Sequence, residues 1–194
     1  MSRQDFGPKN WIFPEPALVI ATYNEDGSVD AMTAAWAGIC QENPCGVMID
    51  LDPAHVTTEN IKRTKAFTLA IPTVELVAQT DFFGIVSAKD DPKKFEKSGL
   101  TARRSDRVDA PIIEEYKMVL ECKLYEIFER ESELRVVGEI VNVSVDESAL
   151  SDGKIDVAKL RPIAWNPVSL DYHALGEPVG RAWTVGRALM KEGE

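Results

Sequence analysis

Short β-type segments follow one another here with turn residues between them, and helices do not alternate regularly with strands. Ala17 to Tyr23 is apolar and β-favouring, Asn24-Glu25-Asp26-Gly27-Ser28 supplies residues that tolerate positive φ, and Val29 to Ile39 follows as the second arm of a hairpin. Gln41 to Pro44 reads as another turn. Gly46 to Leu51 reads as a third strand that stops at Asp52-Pro53, because proline removes a ladder donor. A chain that delivers strands this way favours a mostly antiparallel barrel over a doubly wound sheet. The expected fold class is therefore mainly β with helical insertions.

Later segments add to this pattern. Thr57-Thr58-Glu59-Asn60 offers hydroxyl caps for a short helix whose basic residues, Lys62, Arg63 and Lys65, gather toward its far end, as the helix dipole favours. Ala66 to Ile71 returns to strand character, and Val74 to Phe83 and Pro92 to Ser98 read as two short helical pieces around a Gly84 to Lys89 connection. Met118, Leu120, Cys122 and Leu124 alternate with polar neighbours, as do Val141, Val143 and Val145. Met118 to Phe128 and Leu134 to Asp146 are accordingly expected to form a long antiparallel hairpin, turning in the charged tract Glu129 to Glu133. Ile163 to Trp165 and Val168 to Tyr172 read as late strands and Trp183 to Lys191 as a closing helix. No repeat or low-complexity linker divides residues 1–194, so one domain is expected.

Charge and motif content narrow the chemistry. Lysine and arginine number 22 against 32 carboxylates, a formal net charge of −10, which opposes sequence-independent binding to nucleic acid or to an anionic membrane surface. No apolar run approaches the roughly 20 residues of a membrane span, and the first residues lack the apolar centre of an export signal, so a cytoplasmic location is expected. Cys40, Cys45 and Cys122 are expected to be free thiols, with Cys40 and Cys122 as small buried apolar side chains. No glycine-rich dinucleotide loop stands between a strand and a helix, Gly153-Lys154 is followed by Ile155 where a Walker loop needs a hydroxyl, and G-x-S-x-G is absent. The ligand spacing of a structural zinc site is also missing, so neither a metal nor an amino-acid nucleophile is expected.

What remains suits a flat, anionic ligand. Asp30-Ala31-Met32-Thr33-Ala34-Ala35-Trp36 crowds small residues onto a strand, which lets a planar ring approach the backbone beside Trp36; the same residues would also serve tight strand–helix packing. His55, Thr57, Thr58 and Asn60 gather at a helix start, where free amides and the dipole favour a phosphate, or where Thr57 or Thr58 simply caps the helix. Lys89, Lys93 and Lys94 add positive charge to an acidic chain, as an anion-binding cluster or as a solvated face.

The segments PALVIATYNEDGSVDAMTAAWAGICQENP, HVTTENI with AFTLAIPT, KKFEKSGLT, VVGEIVNV and YHALGEPVGRAW, in that order and spacing, resemble the flavin reductase-like family, including the flavoredoxins. The resemblance covers nearly the whole chain and implies the FMN-binding split barrel, a homodimer, and one FMN per subunit near the interface. It implies that Asp30, Met32, Thr33, Ala34, Ala35 and Trp36 border the ring, that His55 and Thr57 hold the phosphate, and that Lys94 meets a further polar part of FMN. Trp165 and Tyr172 match late aromatic positions that approach the flavin.

The chain departs from the family pattern at three places. Asp30 stands where asparagine is common, His55 where many relatives carry arginine, and Glu133 where some carry a histidine before V-G-E. The activity that the resemblance implies is hydride transfer from NADH or NADPH to FMN, with electrons passed to a soluble acceptor. The alternative is a flavoredoxin-like carrier that exchanges electrons with protein redox partners and has no nicotinamide turnover, for which a charge of −10 suits a basic docking face. A flavin-binding module without turnover is a third reading.

Overall fold

The computed structural model describes residues 1–130 and 133–190. The chain opens with β1 (Glu15–Pro16), β2 (Leu18–Tyr23), β3 (Val29–Ala34), β4 (Ala37–Gln41) and β5 (Gly46–Leu51), followed by helix α1 (Val56–Thr64) and β6 (Ala66–Ala70). Helices α2 (Val77–Ile85) and α3 (Lys94–Lys97) lead to β7 (Ala102–Arg104), β8 (Pro111–Ile113) and the long pair β9 (Met118–Arg130) and β10 (Glu133–Val145). Short elements end the fold: β11 (Leu150–Ser151), β12 (Lys154–Ile155), α4 (Val157–Leu160), β13 (Ile163–Asn166), β14 (Asp171–Ala174) and a 3-10 turn at Val185–Leu189.

Seven strands form one sheet in the order β3-β2-β6-β9-β10-β5-β4, and every pairing in it is antiparallel. Its two edge strands are consecutive in the chain and are joined by Ala35 and Trp36 alone. An open seven-stranded sheet is roughly 29 Å wide at its usual spacing, whereas the chain from Ala34 to Ala37 reaches about 10 Å. The sheet must therefore curl until its edges meet. The Asp50 amide donates to the Trp36 carbonyl at 2.9 Å, which carries the β4–β5 ladder one residue past Ala37 into that turn. This closure explains why the expected continuous strand Val29 to Ile39 breaks in two: the chain must turn from one edge to the other.

Burial follows from the closure. On β2, Leu18 and Ile20 pack inside the barrel with Ile49, Phe67, Leu134 and Val136. The alternate residues Val19 and Ala21 pack under an outer layer with Phe83, Ile113 and Tyr116. A strand covered on both faces reads as a continuous apolar run, as Ala17 to Tyr23 does. The expected hairpin extends further into the charged tract than its apolar alternation signals, with Glu133 paired to Arg130.

Other expectations shift for local reasons. Residues 167–170 turn instead of extending, because the Asn166 carboxamide accepts from the Val168 amide at 2.9 Å and Leu170 takes positive φ, so the last strand is Asp171–Ala174. At the C-terminus the expected helix is a five-residue 3-10 turn with no buried residue, since so short a helix without a packed face is marginal; Lys191 lies outside the described residues. Cys40 is exposed rather than buried because it sits where the β4–β5 register shifts on an edge strand. Cys122 is buried, and burial pushes its thiol up to about 12. No helix among the described residues is long and apolar enough to cross a membrane.

Candidate functional site

Strand β3 is the floor on which the helical insertions meet. A cavity of about 190 Å³ opens between β3, which contributes Asp30, Met32 and Thr33, and the start of α1, which contributes His55, Val56 and Thr57. The segment Gly84–Ala88 and Lys94 of α3 complete its wall. Gly84 packs over Thr33, where an added Cβ would stand in ordinary contact, 3.5 Å from the Thr33 Cβ. Thr33 ties the two elements together, its hydroxyl donating to the Thr80 carbonyl at 2.5 Å.

The polar groups in this cavity are mostly paired with one another. Asp30 is only 1% exposed. The Thr57 hydroxyl donates to its Oδ2 at 2.5 Å, and the buried Lys94 ammonium lies 3.2 Å from its Oδ1 while donating to the Val86 carbonyl at 3.3 Å. The Lys94 contact is an ion pair, and Oδ1 accepts no hydrogen bond among the described residues. Thr58 turns away and donates to the Asp52 carbonyl at 2.8 Å.

Neither threonine caps the helix, then; His55 occupies the cap position, exposed and making no side-chain cap bond. The backbone N–H groups of Val56 and Thr57 find no acceptor among the described residues. Because Val56 and Thr57 both line the cavity, these free amides leave a partial positive charge at its wall.

A second cavity of about 110 Å³ shares Thr33 with the first and is lined by Ala17, Ala35, Trp165 and Tyr172. The two aromatics face each other across the β13–β14 ladder. The Tyr172 hydroxyl donates to Asp81 at 3.2 Å; burial, then the Asp81 charge, pushes the phenol up to about 12. Thr33 thus joins a small aromatic-walled slot to a polar cavity at a helix start.

Of the residues singled out in the sequence, Asp30, Met32, Thr33, His55, Thr57 and Lys94 meet in the first cavity, and Thr33, Ala35, Trp165 and Tyr172 in the second. Trp36 is 53% exposed and borders, with Ala35, a wider cleft of about 600 Å³. Ala34 packs in the barrel core and lines none of these three cavities. Lys89 and Lys93 are exposed and stand outside the first cavity's wall. Sequence reasoning missed Ser87 and Val86, whose only signal was their place in the Gly84 to Lys89 connection, and it missed Asp81, the partner of Tyr172, altogether.

The family described as the flavin reductase like domain matches residues 11–166. An uncharacterised protein of Archaeoglobus fulgidus is 30% identical over 147 residues, spanning 76% of this chain and 81% of its own. Among solved structures, the flavoredoxin of Desulfovibrio vulgaris (Miyazaki F) superposes with a TM-score of 0.90 at 36% identity, covering 95% of this chain and 100% of that one. The flavoredoxin of Methanosarcina acetivorans gives 0.87 at 26% identity, covering 97% and 100%.

Proposed function

The chain belongs to the flavin reductase-like family with its split-barrel fold, and from that premise we propose that it binds FMN across the two cavities joined at Thr33 and works as an FMN-dependent oxidoreductase. The observation that carries this reading is the pairing of a thin slot between small residues and aromatics with a polar cavity at a helix start. Those are the two environments that an isoalloxazine and its phosphorylated side chain need. The residues fit the group: Ala17 and Ala35 leave room for a planar ring, Trp165 and Tyr172 wall it, and the free amides of Val56 and Thr57, with His55, face an anion.

When bound, FMN supplies the chemistry, accepting a hydride equivalent from NADH or NADPH and releasing electrons to a soluble acceptor. The chain's own part is positioning. Thr33 and Ala35 would border the ring, Trp165 and Tyr172 would shield it from water, and Tyr172 is held in place by Asp81. Tyr172 stays a neutral phenol at physiological pH, because burial and the Asp81 carboxylate both oppose its ionisation. No side chain need act as nucleophile.

In this reading residues 1–194 form one flavin-binding unit that pairs as a homodimer in the cytoplasm. Support for the pairing comes from Trp36, Ile39 of β4 and Met48 of β5, exposed apolar side chains on neighbouring strands that a second copy would cover. Equilibrium dialysis tests the core proposal: FMN binding in the low micromolar range or tighter is expected, and binding no tighter than high micromolar would refute it.

A flavoredoxin-like carrier with a protein redox partner is the second reading, favoured by the charge of −10 and the 36% identity to a flavoredoxin. Anaerobic stopped-flow mixing of the FMN-loaded protein with NADH and with NADPH separates the two. Rapid bleaching of the flavin by either nucleotide supports the oxidoreductase, and its absence supports the carrier.

A further inference from the structure

Building on the flavin reading, we infer that Asp30 makes this pocket select its ligand by the ring and hydroxylated side chain rather than by the phosphate, so that riboflavin binds within about tenfold of FMN.

A phosphate at the start of α1 would draw on three side chains of the cavity wall: the Thr57 hydroxyl, the Lys94 ammonium and His55. Asp30 removes two of them. A hydroxyl has a single proton to donate, and that of Thr57 is committed to Asp30 Oδ2. Lys94 carries a formal charge, but Asp30 cancels it at 3.2 Å in a pair whose side chains are 5% and 1% exposed. Other acidic groups stand near the same helix start: Glu59 lies in the first turn of α1, and Asp52 sits just before it, accepting from the Ala54 amide. Lys89 and Lys93 do not line the cavity.

What is left for an anion is exposed His55, two backbone amides and the Ser87 hydroxyl. A single solvent-exposed cation adds no more than about a tenfold gain in affinity, and salt screens it.

The same carboxylate favours the rest of the molecule. Asp30 Oδ1 is a buried acceptor in the cavity wall that, beside its ion pair with Lys94, receives no hydrogen bond among the described residues. An ionised phosphate has no proton to offer it; a polyhydroxylated chain has several. The position therefore rewards a ligand with hydroxyl donors and penalises negative charge.

The test measures riboflavin and FMN dissociation constants by fluorescence quenching in wild type and in Asp30→Asn, with inorganic phosphate as competitor and at low and high salt. In wild type the two constants are expected to lie within about tenfold of each other, their ratio is expected to change little with salt, and phosphate is expected not to displace riboflavin. In Asp30→Asn, where the Lys94 charge is no longer cancelled while the carboxamide oxygen can still accept from Thr57, preference for FMN over riboflavin is expected to rise about tenfold or more.

A wild-type preference for FMN beyond about tenfold, or one that falls steeply with salt, overturns the inference and leaves the flavin reading standing. Binding of neither flavin overturns both. The wild-type ratio and its salt dependence decide the matter even where the variant does not fold.

Discussion

Replacing Lys94 with methionine keeps the side chain's length and packing but deletes its charge, leaving Asp30 buried opposite an apolar group. Two unit charges 3.2 Å apart attract by about 5 kcal/mol at an effective dielectric of about 20, and that attraction offsets the cost of burying both. Removing one partner of a buried pair costs about 3–5 kcal/mol, because the survivor keeps its desolvation penalty. The Thr57 hydroxyl still donates to Asp30 and tempers the loss, which places Lys94→Met near the lower end. With an m-value of about 2 kcal/mol/M in urea, the unfolding midpoint should fall by about 1.5 M. The chain's four tryptophans allow the transition to be followed by fluorescence. Asp30→Asn alone should cost less, since the long Lys94 side chain can swing its ammonium toward the open cavity while Asp30 has no such freedom. In the double variant no charge is left uncompensated, so its loss should fall short of the sum of the single losses by about 2 kcal/mol or more. A Lys94→Met loss under about 1 kcal/mol, or additivity within about 0.5 kcal/mol, would refute the account of a coupled buried pair.

Two further predictions concern the frame around the site. A Cβ at Gly138 would stand 2.5 Å from Phe67 Cζ and 3.2 Å from Cys122 Cβ, both in fully buried side chains. Gly138→Ala should therefore cost about 1–3 kcal/mol and be partly rescued by Phe67→Leu in thermal melts; an unchanged midpoint would contradict the packing. Glu15 is buried with Oε2 unpartnered, and burial raises its pKa above 4.5. The folded chain thus prefers the protonated acid, and the stability it contributes is full below pH 4.5 and declines as pH rises through the folded value. Glu15→Gln should melt higher than wild type at neutral pH and lose that advantage in acid; an advantage that grows toward low pH would reverse the assignment.

The strands were legible because their signals are local. Asn24 to Ser28 carries a hairpin turn in its own residue types, and β9 and β10 show their alternation without reference to anything else. Barrel closure was not legible in the same way. Nothing in Ala35-Trp36 marks a break, since the turn there exists because two sheet edges meet after five further strands have taken their places. The late elements misled for a related reason: Val168 to Tyr172 has strand composition, but the Asn166 side chain holds a turn that composition does not weigh. Trp183 to Met190 has helical composition and nothing to pack against.

The candidate site shows the same division between identity and pairing. Asp30, Thr57 and Lys94 were each recognisable as polar residues in ligand-bearing segments, and each was read as facing the ligand independently. They are 27 and 64 positions apart (57 − 30 and 94 − 30), yet the fold joins them into one cluster. Donors counted along a sequence are therefore counted before the protein has used them. Where asparagine would leave the lysine charge uncancelled, Asp30 consumes both that charge and the threonine proton. What a phosphate meets at the start of α1 is set less by which cationic residues the sequence supplies than by the one carboxylate the fold buries beside them.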